Sequence, residues 1–284
     1  MKNEEIKIAV CYYQPWKLPK EKIFFPIQAG KAISPFELKM QGDNTGDNIS
    51  EKNAVFSEFT AWYWVWKNIK KIYPNIKYIG LSHYRRFFAL DVEPLQYVYI
   101  LKNKIPIMAN YDELIKKALL DNDIILSKPE YFGMSVIEQY CHYHYESDLL
   151  IIKDIVKELY PAYINTFDFV FNNDRGISLY CMMICRYELL DNYFQWLFSI
   201  LFEAEKRIDV SERNNEQKRA IAFIAERLLS VYVKHNDLKA VYRPIFFIKG
   251  DKIVNGKVHL RNMIKNFIKN CVPYGILKLF KWEC

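Results

Sequence analysis

No stretch of this sequence reaches 18 consecutive apolar residues, so no membrane-spanning helix is expected. Glycine and proline are scarce, 9 and 11 in 284 residues, which excludes collagen-like, mucin-like and wholly disordered chains. The first ten residues, MKNEEIKIAV, carry acids where a secretion signal needs an apolar run, so the expected location is the cytoplasm. Six cysteines, at 11, 141, 181, 185, 271 and 284, form no CxxC pair and find no Cys/His partner set for zinc; they read as free thiols. There is no GxGxxG, no phosphate-binding P-loop, no HExxH and no GxSxG. Asp121-Asn122-Asp123 matches an Asp-x-Asp string, but it precedes an apolar run and is poorly placed to clamp a metal.

What is abundant is apolar and aromatic surface: 51% hydrophobic residues, with 21 Tyr, 19 Phe and 6 Trp. The formal net charge of +7 is unevenly placed. Lys257, Arg261, Lys265, Lys269, Lys278 and Lys281 face only Glu283 in the last 30 residues. Residues 1–250 read as one domain and 251–284 as a basic amphipathic tail. In the tail Met263, Ile264, Phe267 and Ile268 recur at helical spacing with lysines between them. Two readings stand: an inner-leaflet membrane contact through 255–284, or a helix docked on the protein's own core. With the remainder near charge balance and without an RNA- or DNA-binding motif, nucleic acid is not an expected partner.

Hydrophobic periodicity predicts strands at 6–13, 78–82, 123–127, 176–184 and 242–248, and helices at 50–72, 111–120, 134–160, 187–206 and 215–235. Strands alternating with helices predict an α/β fold, a mixed sheet of Rossmann type flanked by helices. Residues 14–50 read as a long irregular loop. Asn48 or Ser50 is the expected N-cap of the 50–72 helix. Glu58 lies beside the apolar stripe of that helix, where a carboxylate must be paired or take part in chemistry.

Ligands of open α/β sheets sit beyond the carboxyl ends of strands. At the end of the 78–82 strand stand His83, Tyr84, Arg85 and Arg86, and two guanidiniums suit a diphosphate. If the strand simply continued, the two would point to opposite faces. Either could instead pair with a structural carboxylate such as Glu58 or Asp91. A second constellation, Glu138, Tyr140, His144 and Asp148, stacks the last three on one face if 134–160 is a single helix. His144 with Asp148 would serve as an oriented base or hold sugar hydroxyls; a capped, solvent-facing polar helix explains the same residues.

Taken together, Asn48-Ile49-Ser50-Glu51-Lys52-Asn53, then Glu58-x-Thr60-Ala61-x-Tyr63-Trp64-x-Trp66-Lys67-Asn68, then Tyr78-Ile79-Gly80-Leu81-x-His83-Tyr84-Arg85-Arg86 resemble the DUF4422 family. The likeness includes Pro26-Ile27-x-x-Gly30, Asp123-x-Ile125-Leu126, the Tyr140, His144, Asp148 spacing, Gln195-Trp196-Leu197-Phe198 and Glu226-Arg227-Leu228, and spans roughly residues 6–235. The chain departs from the family at Tyr12-Tyr13-Gln14-Pro15, where a His is expected near position 13.

The resemblance implies a bacterial glycosyltransferase of capsule, exopolysaccharide or lipopolysaccharide assembly with a GT-A-like fold. It implies a nucleotide-sugar donor, with uridine diphosphate the expected carrier, and a glycan or lipid-linked glycan acceptor. On that reading His83, Tyr84, Arg85, Arg86, Asn48, Ser50, Lys52, Asn53, Tyr12 and Gly30 bind the donor. Glu138, His144 and Asp148 are the catalytic candidates, with Glu226 in reserve. No metal ligand is assigned: His83-Tyr84-Arg85-Arg86 stands where such a fold usually carries Asp-x-Asp, so magnesium or manganese is left open and arginine takes over part of its charge. A glycan- or nucleotide-sugar-binding module without turnover and a phosphotransferase are the rival readings.

Overall fold

The computed structural model describes residues 5–92, 98–102, 104–106 and 108–249. The tail at 251–284, with its two readings, lies outside the described residues, as do Cys271 and Cys284. In chain order the elements are β1 (Ile6–Tyr12), β2 (Phe24–Gln28), β3 (Gln41–Gly42), α1 (Asn53–Phe56), α2 (Phe59–Ile72), β4 (Tyr78–His83), β5 (Arg86–Phe88) and β6 (Val98–Lys102). Then follow α3 (Tyr111–Ala118), β7 (Ile124–Ser127), β8 (Glu130–Tyr131), α4 (Val136–Tyr143), α5 (Glu146–Leu159), α6 (Ile164–Asn173), β9 (Gly176–Ile177) and β10 (Met183–Arg186). The chain closes on α7 (Tyr187–Arg207), α8 (Ala220–His235), β11 (Ala240–Arg243) and β12 (Ile245–Lys249).

The main sheet runs β11-β7-β10-β4-β1-β2-β3. The β4, β1, β2 and β3 strands are parallel, β10 is antiparallel to both β4 and β7, and β11 is parallel to β7. A ribbon of β5, β12 and β6 branches from the end of β4. This is the expected mixed α/β sheet.

Strand alternation sorts the two faces. In β1, Ala9 and Cys11 enter the larger core beneath α2, α7 and α8, whereas Ile8, Val10 and Tyr12 enter a smaller one with Phe87, Phe88 and Ile115. Both faces are covered, so β1 is buried along its whole length and reads as a continuous apolar run.

Five expected elements differ in the structure. The 242–248 strand is split at Pro244, which ends β11 beside β7 and lets β12 pair with β5 and β6. The irregular 14–50 stretch contains β2 and β3. The 50–72 helix is broken: after a 3-10 turn at Ser50–Lys52 and the short α1, Ser57 adopts φ 48°, and α2 starts beyond it. The 134–160 helix is broken at His144 (φ −137°, ψ 176°), because its backbone turns extended before α5. The 176–184 strand is interrupted by consecutive left-handed residues, Tyr180 (φ 71°) and Cys181 (φ 48°). Among the described residues no helix is long and apolar enough to cross a membrane.

Candidate functional site

A cavity of about 680 Å³ opens at the carboxyl ends of β1 and β4, on the face of the larger core. Its floor comes from the strand ends. Cys11 and His83 are register partners in β1 and β4, and both line it. Beyond His83 the chain does not continue as a strand. His83 pairs with Arg86, leaving Tyr84-Arg85 as a two-residue turn. That hairpin is why Arg85 and Arg86 both reach the cavity instead of facing opposite ways.

Neither guanidinium forms an ion pair with a carboxylate among the described residues. The Nε atoms of both are buried without a hydrogen-bond partner. Aromatic rings hold them instead: Arg85 lies 5.0 Å from the centre of the Tyr84 ring and 5.9 Å from Trp16, and Arg86 lies 4.1 Å from Tyr180. Glu58, the expected structural partner, sits 3.8 Å from Arg219, which also donates to Ser57 Oγ at 2.7 Å. Two half-buried charges placed beside π faces, with their Nε donors unspent, are ready for an anion.

The opposite wall carries Asn215, Lys218 and Arg219 from the stretch before α8, and Glu226 from α8 itself. Four cations and two carboxylates therefore share the cavity. Burial, helped by the nearby charge of Glu58, pushes the Glu226 carboxyl up to about 7. Tyr180 N–H donates to its Oε1 at 3.1 Å. The carbonyl of the same Tyr180 accepts from His83 Nε2 at 2.6 Å, so the proton of a neutral His83 sits on Nε2 and Nδ1 is a bare acceptor. Burial holds His83 below its ordinary value, with Arg86 acting in the same direction and Glu58 against both. Two left-handed non-glycine residues, Ser57 and Tyr180, line this one cavity, and such backbone strain gathers at functional sites.

Of the donor-side expectations, His83, Tyr84, Arg85, Arg86 and Asn53 come together here. Tyr12 does not. The alternation of β1 turns it to the other core, where its hydroxyl donates to the Lys17 carbonyl; Tyr13 lines the cavity in its place. Asn48 is an exposed turn residue that accepts from Ser50 N–H, and neither it nor Ser50 caps the helix with its side chain. The Ser50 hydroxyl donates to the buried Asp43 carboxylate, which also accepts the backbone N–H groups of Gly30 and Lys31. Lys52 is committed to Glu205 at 2.6 Å. Gly30 acts through its backbone: φ is +60°, and a Cβ there would lie 2.4 Å from the Asn53 side chain.

The catalytic candidates fall elsewhere. Glu138 closes a capping box with Ser135 at the start of α4. Asp148, 1% exposed, is gripped by both Nη atoms of Arg213, at 2.5 and 2.7 Å. His144 stacks on Phe223 with ring centres 4.1 Å apart, and burial with Arg227 lowers its proton affinity. The helix break at His144 ends the single helix expected to carry Tyr140, His144 and Asp148, yet the Tyr140 and His144 rings still meet at 5.0 Å and the charge of Asp148 still reaches both. None of the three candidates lines the cavity, whereas the reserve, Glu226, does. Tyr180, Lys218 and Arg219 carried no sequence signal of their own. Asp123 accepts the Lys239 N–H just before β7, and no three His, Cys, Asp or Glu side chains among the described residues gather to hold a metal.

The family described as a domain of unknown function, DUF4422, matches residues 7–237. A search of curated proteins finds no match. Among solved structures, a WbbM bifunctional glycosyltransferase without ligand aligns with a TM-score of 0.73 and 30% identity. The alignment covers 86% of this chain and 45% of that one, so the chain spans less than half the length of that protein. The sheet and flanking helices thus have a glycosyltransferase Rossmann-like fold, and the family match runs from β1 to the end of α8. With its cavity built from the same His83–Arg86 and Glu226 segments that carry the resemblance, this chain belongs to the DUF4422 family.

Proposed function

We propose that the protein is a glycosyltransferase that moves a sugar from a nucleoside diphosphate carrier, a uridine diphosphate sugar, to a hydroxyl of a growing surface glycan. The observation that carries this reading is the pair of cavity-facing guanidiniums, Arg85 and Arg86, with no carboxylate partner among the described residues. A leaving diphosphate gains negative charge as the bond to the anomeric carbon lengthens, and fixed cations aimed at that charge lower the barrier. Their aromatic supports keep them in place before the donor arrives. A cavity of this size suits a ligand of nucleotide-sugar dimensions. The fold shared with a protein titled a glycosyltransferase supports the same reading.

Glu226 is the group proposed to take the proton from the acceptor hydroxyl. One of its oxygens accepts from Tyr180, which leaves the other for substrate. The acceptor oxygen bonds to the anomeric carbon as the carbon–oxygen bond to the diphosphate breaks. The electron pair leaves with the diphosphate, and the acceptor proton passes to Glu226. Attack opposite the leaving group inverts the anomeric centre.

The basic tail, residues 255–284, is proposed to hold the enzyme at an anionic inner leaflet, where lipid-linked acceptors are found. Thermal-shift titration with nucleotide-sugars, with and without magnesium or manganese, tests the donor reading directly. Stabilisation by a uridine diphosphate sugar that is lost in Arg85→Ala and Arg86→Ala is the expected result. Equal stabilisation of wild type and variants would refute the clamp.

A further inference from the structure

At the break between α4 and α5 the last residues of α4, His142 and Tyr143, and the two that follow, His144 and Tyr145, form an aromatic turn that the transfer chemistry does not use. Tyr143 and Tyr145 are 46% and 50% exposed, yet neither is loose. The Arg213 guanidinium lies 4.5 Å from the centre of the Tyr145 ring, and Arg213 is itself held by the buried Asp148 through two hydrogen bonds. Gln217 donates to the Tyr143 carbonyl at 2.9 Å, and His142 packs edge-on against the Tyr143 ring.

The turn is joined to the cavity by direct contacts. His144 stacks on Phe223, and Arg219, a cavity-lining residue, lies 5.2 Å from the centre of the same ring. Gln217 immediately precedes Lys218, which also lines the cavity. The aromatic turn therefore adjoins α8, the helix that carries Glu226.

We propose that this turn is a glycan platform: Tyr143 and Tyr145 stack on sugar rings of the acceptor chain whose terminal hydroxyl enters the cavity. A pyranose offers a face of C–H groups ringed by hydroxyls, which matches an aromatic ring with polar neighbours. Tyrosine supplies such area with few rotatable bonds, and support from Arg213 and Gln217 reduces the ordering cost of binding further. The turn carries no lysine, it is followed at the start of α5 by Glu146 and Ser147, and Arg213 is neutralised by Asp148, so an anionic membrane is the wrong partner for this surface. The role as acceptor site rests on the transferase reading; carbohydrate binding by the turn does not.

The test uses the full chain on a printed array of bacterial surface polysaccharides, together with calorimetric titration of uridine diphosphate. Compared are wild type, Tyr143→Ala/Tyr145→Ala and the conservative Tyr143→Phe/Tyr145→Phe. Expected is glycan retention about tenfold lower in the alanine pair, the loss that removing two aromatic anchors carries. Retention within about twofold of wild type is expected in the phenylalanine pair, which keeps the rings. Uridine diphosphate affinity should be unchanged in both. Undiminished retention in the alanine pair, or no retention by the wild type, overturns the platform. Tyrosine-dependent retention in a protein that binds no uridine diphosphate would sink the transferase reading and leave the platform standing.

Discussion

Tyr180 N–H donates to Glu226 Oε1 at 3.1 Å, from a backbone held in the left-handed region at φ 71°. Through its ring and its carbonyl the same residue holds Arg86 and His83. One strained turn thus links the cation proposed to receive the leaving group to the carboxylate proposed to receive the proton. The charged groups facing Glu226 are Glu58, Arg86 and Arg227, and only Glu58 raises its proton affinity.

Because the Glu226 carboxyl is held at about 7, it is protonated and idle as a base in acid, and transfer should rise with pH through about 7. Glu58→Gln removes the neighbouring negative charge and should move that midpoint to lower pH. Glu226→Gln should abolish transfer while leaving nucleotide binding intact. Stability should move the other way. A carboxyl that binds its proton more tightly folded than unfolded penalises the folded state as pH rises from about 4.5 to about 7. Glu226→Gln should therefore melt above wild type at pH 8. A pH–rate profile and melting curves at pH 5 and 8 check both signs.

Arg85→Ala and Arg86→Ala should each lower kcat by about 10²–10³-fold, the cost of removing one preorganised charge from a transition state. Neither pairs with a carboxylate among the described residues, so neither loss orphans a buried acid, and the melting temperatures should change little. Steady-state kinetics beside thermal melts would separate this from a structural arginine, whose removal lowers stability first.

Ser135→Ala should cost about 1 kcal/mol, since it removes the N-cap of α4, and Glu138→Ala should act in the same direction. Both should leave kcat near wild type. Asp148→Asn should cost more, about 3 kcal/mol, because it loosens a bidentate pair in which Asp148 is buried. Denaturant unfolding gives these values, and a large kcat loss in Glu138→Ala would return that residue to the chemistry.

Gly30→Ala should damage fold and site together. A left-handed backbone at φ +60° costs an alanine about 1–2 kcal/mol. Its Cβ would also displace Asn53, which lines the cavity. Lower stability accompanied by a raised donor KM is the expected pair of changes; a stability loss alone would mean that Asn53 does not touch the donor.

Removal of residues 255–284 should cut binding to vesicles containing anionic lipid, and added salt should reduce whatever binding the full chain shows. Turnover on a short soluble acceptor should persist. Cosedimentation with vesicles of neutral and anionic composition is the measurement.

Much of the scaffold was legible because it is written in local periodicity. The buried run of β1, the strands β4 and β7 and the amphipathic α7 and α8 follow from side-chain alternation or a 3.6-residue stripe. The breaks at Ser57, His144 and Tyr180 were not legible. A non-glycine residue in the left-handed region, or an extended residue between two helices, has no composition signature; surrounding contacts impose it. Missing the break at His144 placed Asp148 on one helix with Tyr140 and His144; those two rings do meet, at 5.0 Å, but Asp148 belongs to α5 and pairs with Arg213.

The sequence by itself determined which segments could be strands and helices, where the positive charge accumulates, and that two arginines follow the β4 strand, since each is a property of neighbours in the chain. Only the tertiary structure decided that those arginines find no carboxylate among the described residues, that Glu58 turns to Arg219 instead, and that Glu226, 140 positions beyond Arg86, faces the same cavity. Counter-charge, burial and proton affinity depend on what lies across space, and the chain brings those groups together only when the sheet and its helices close around them.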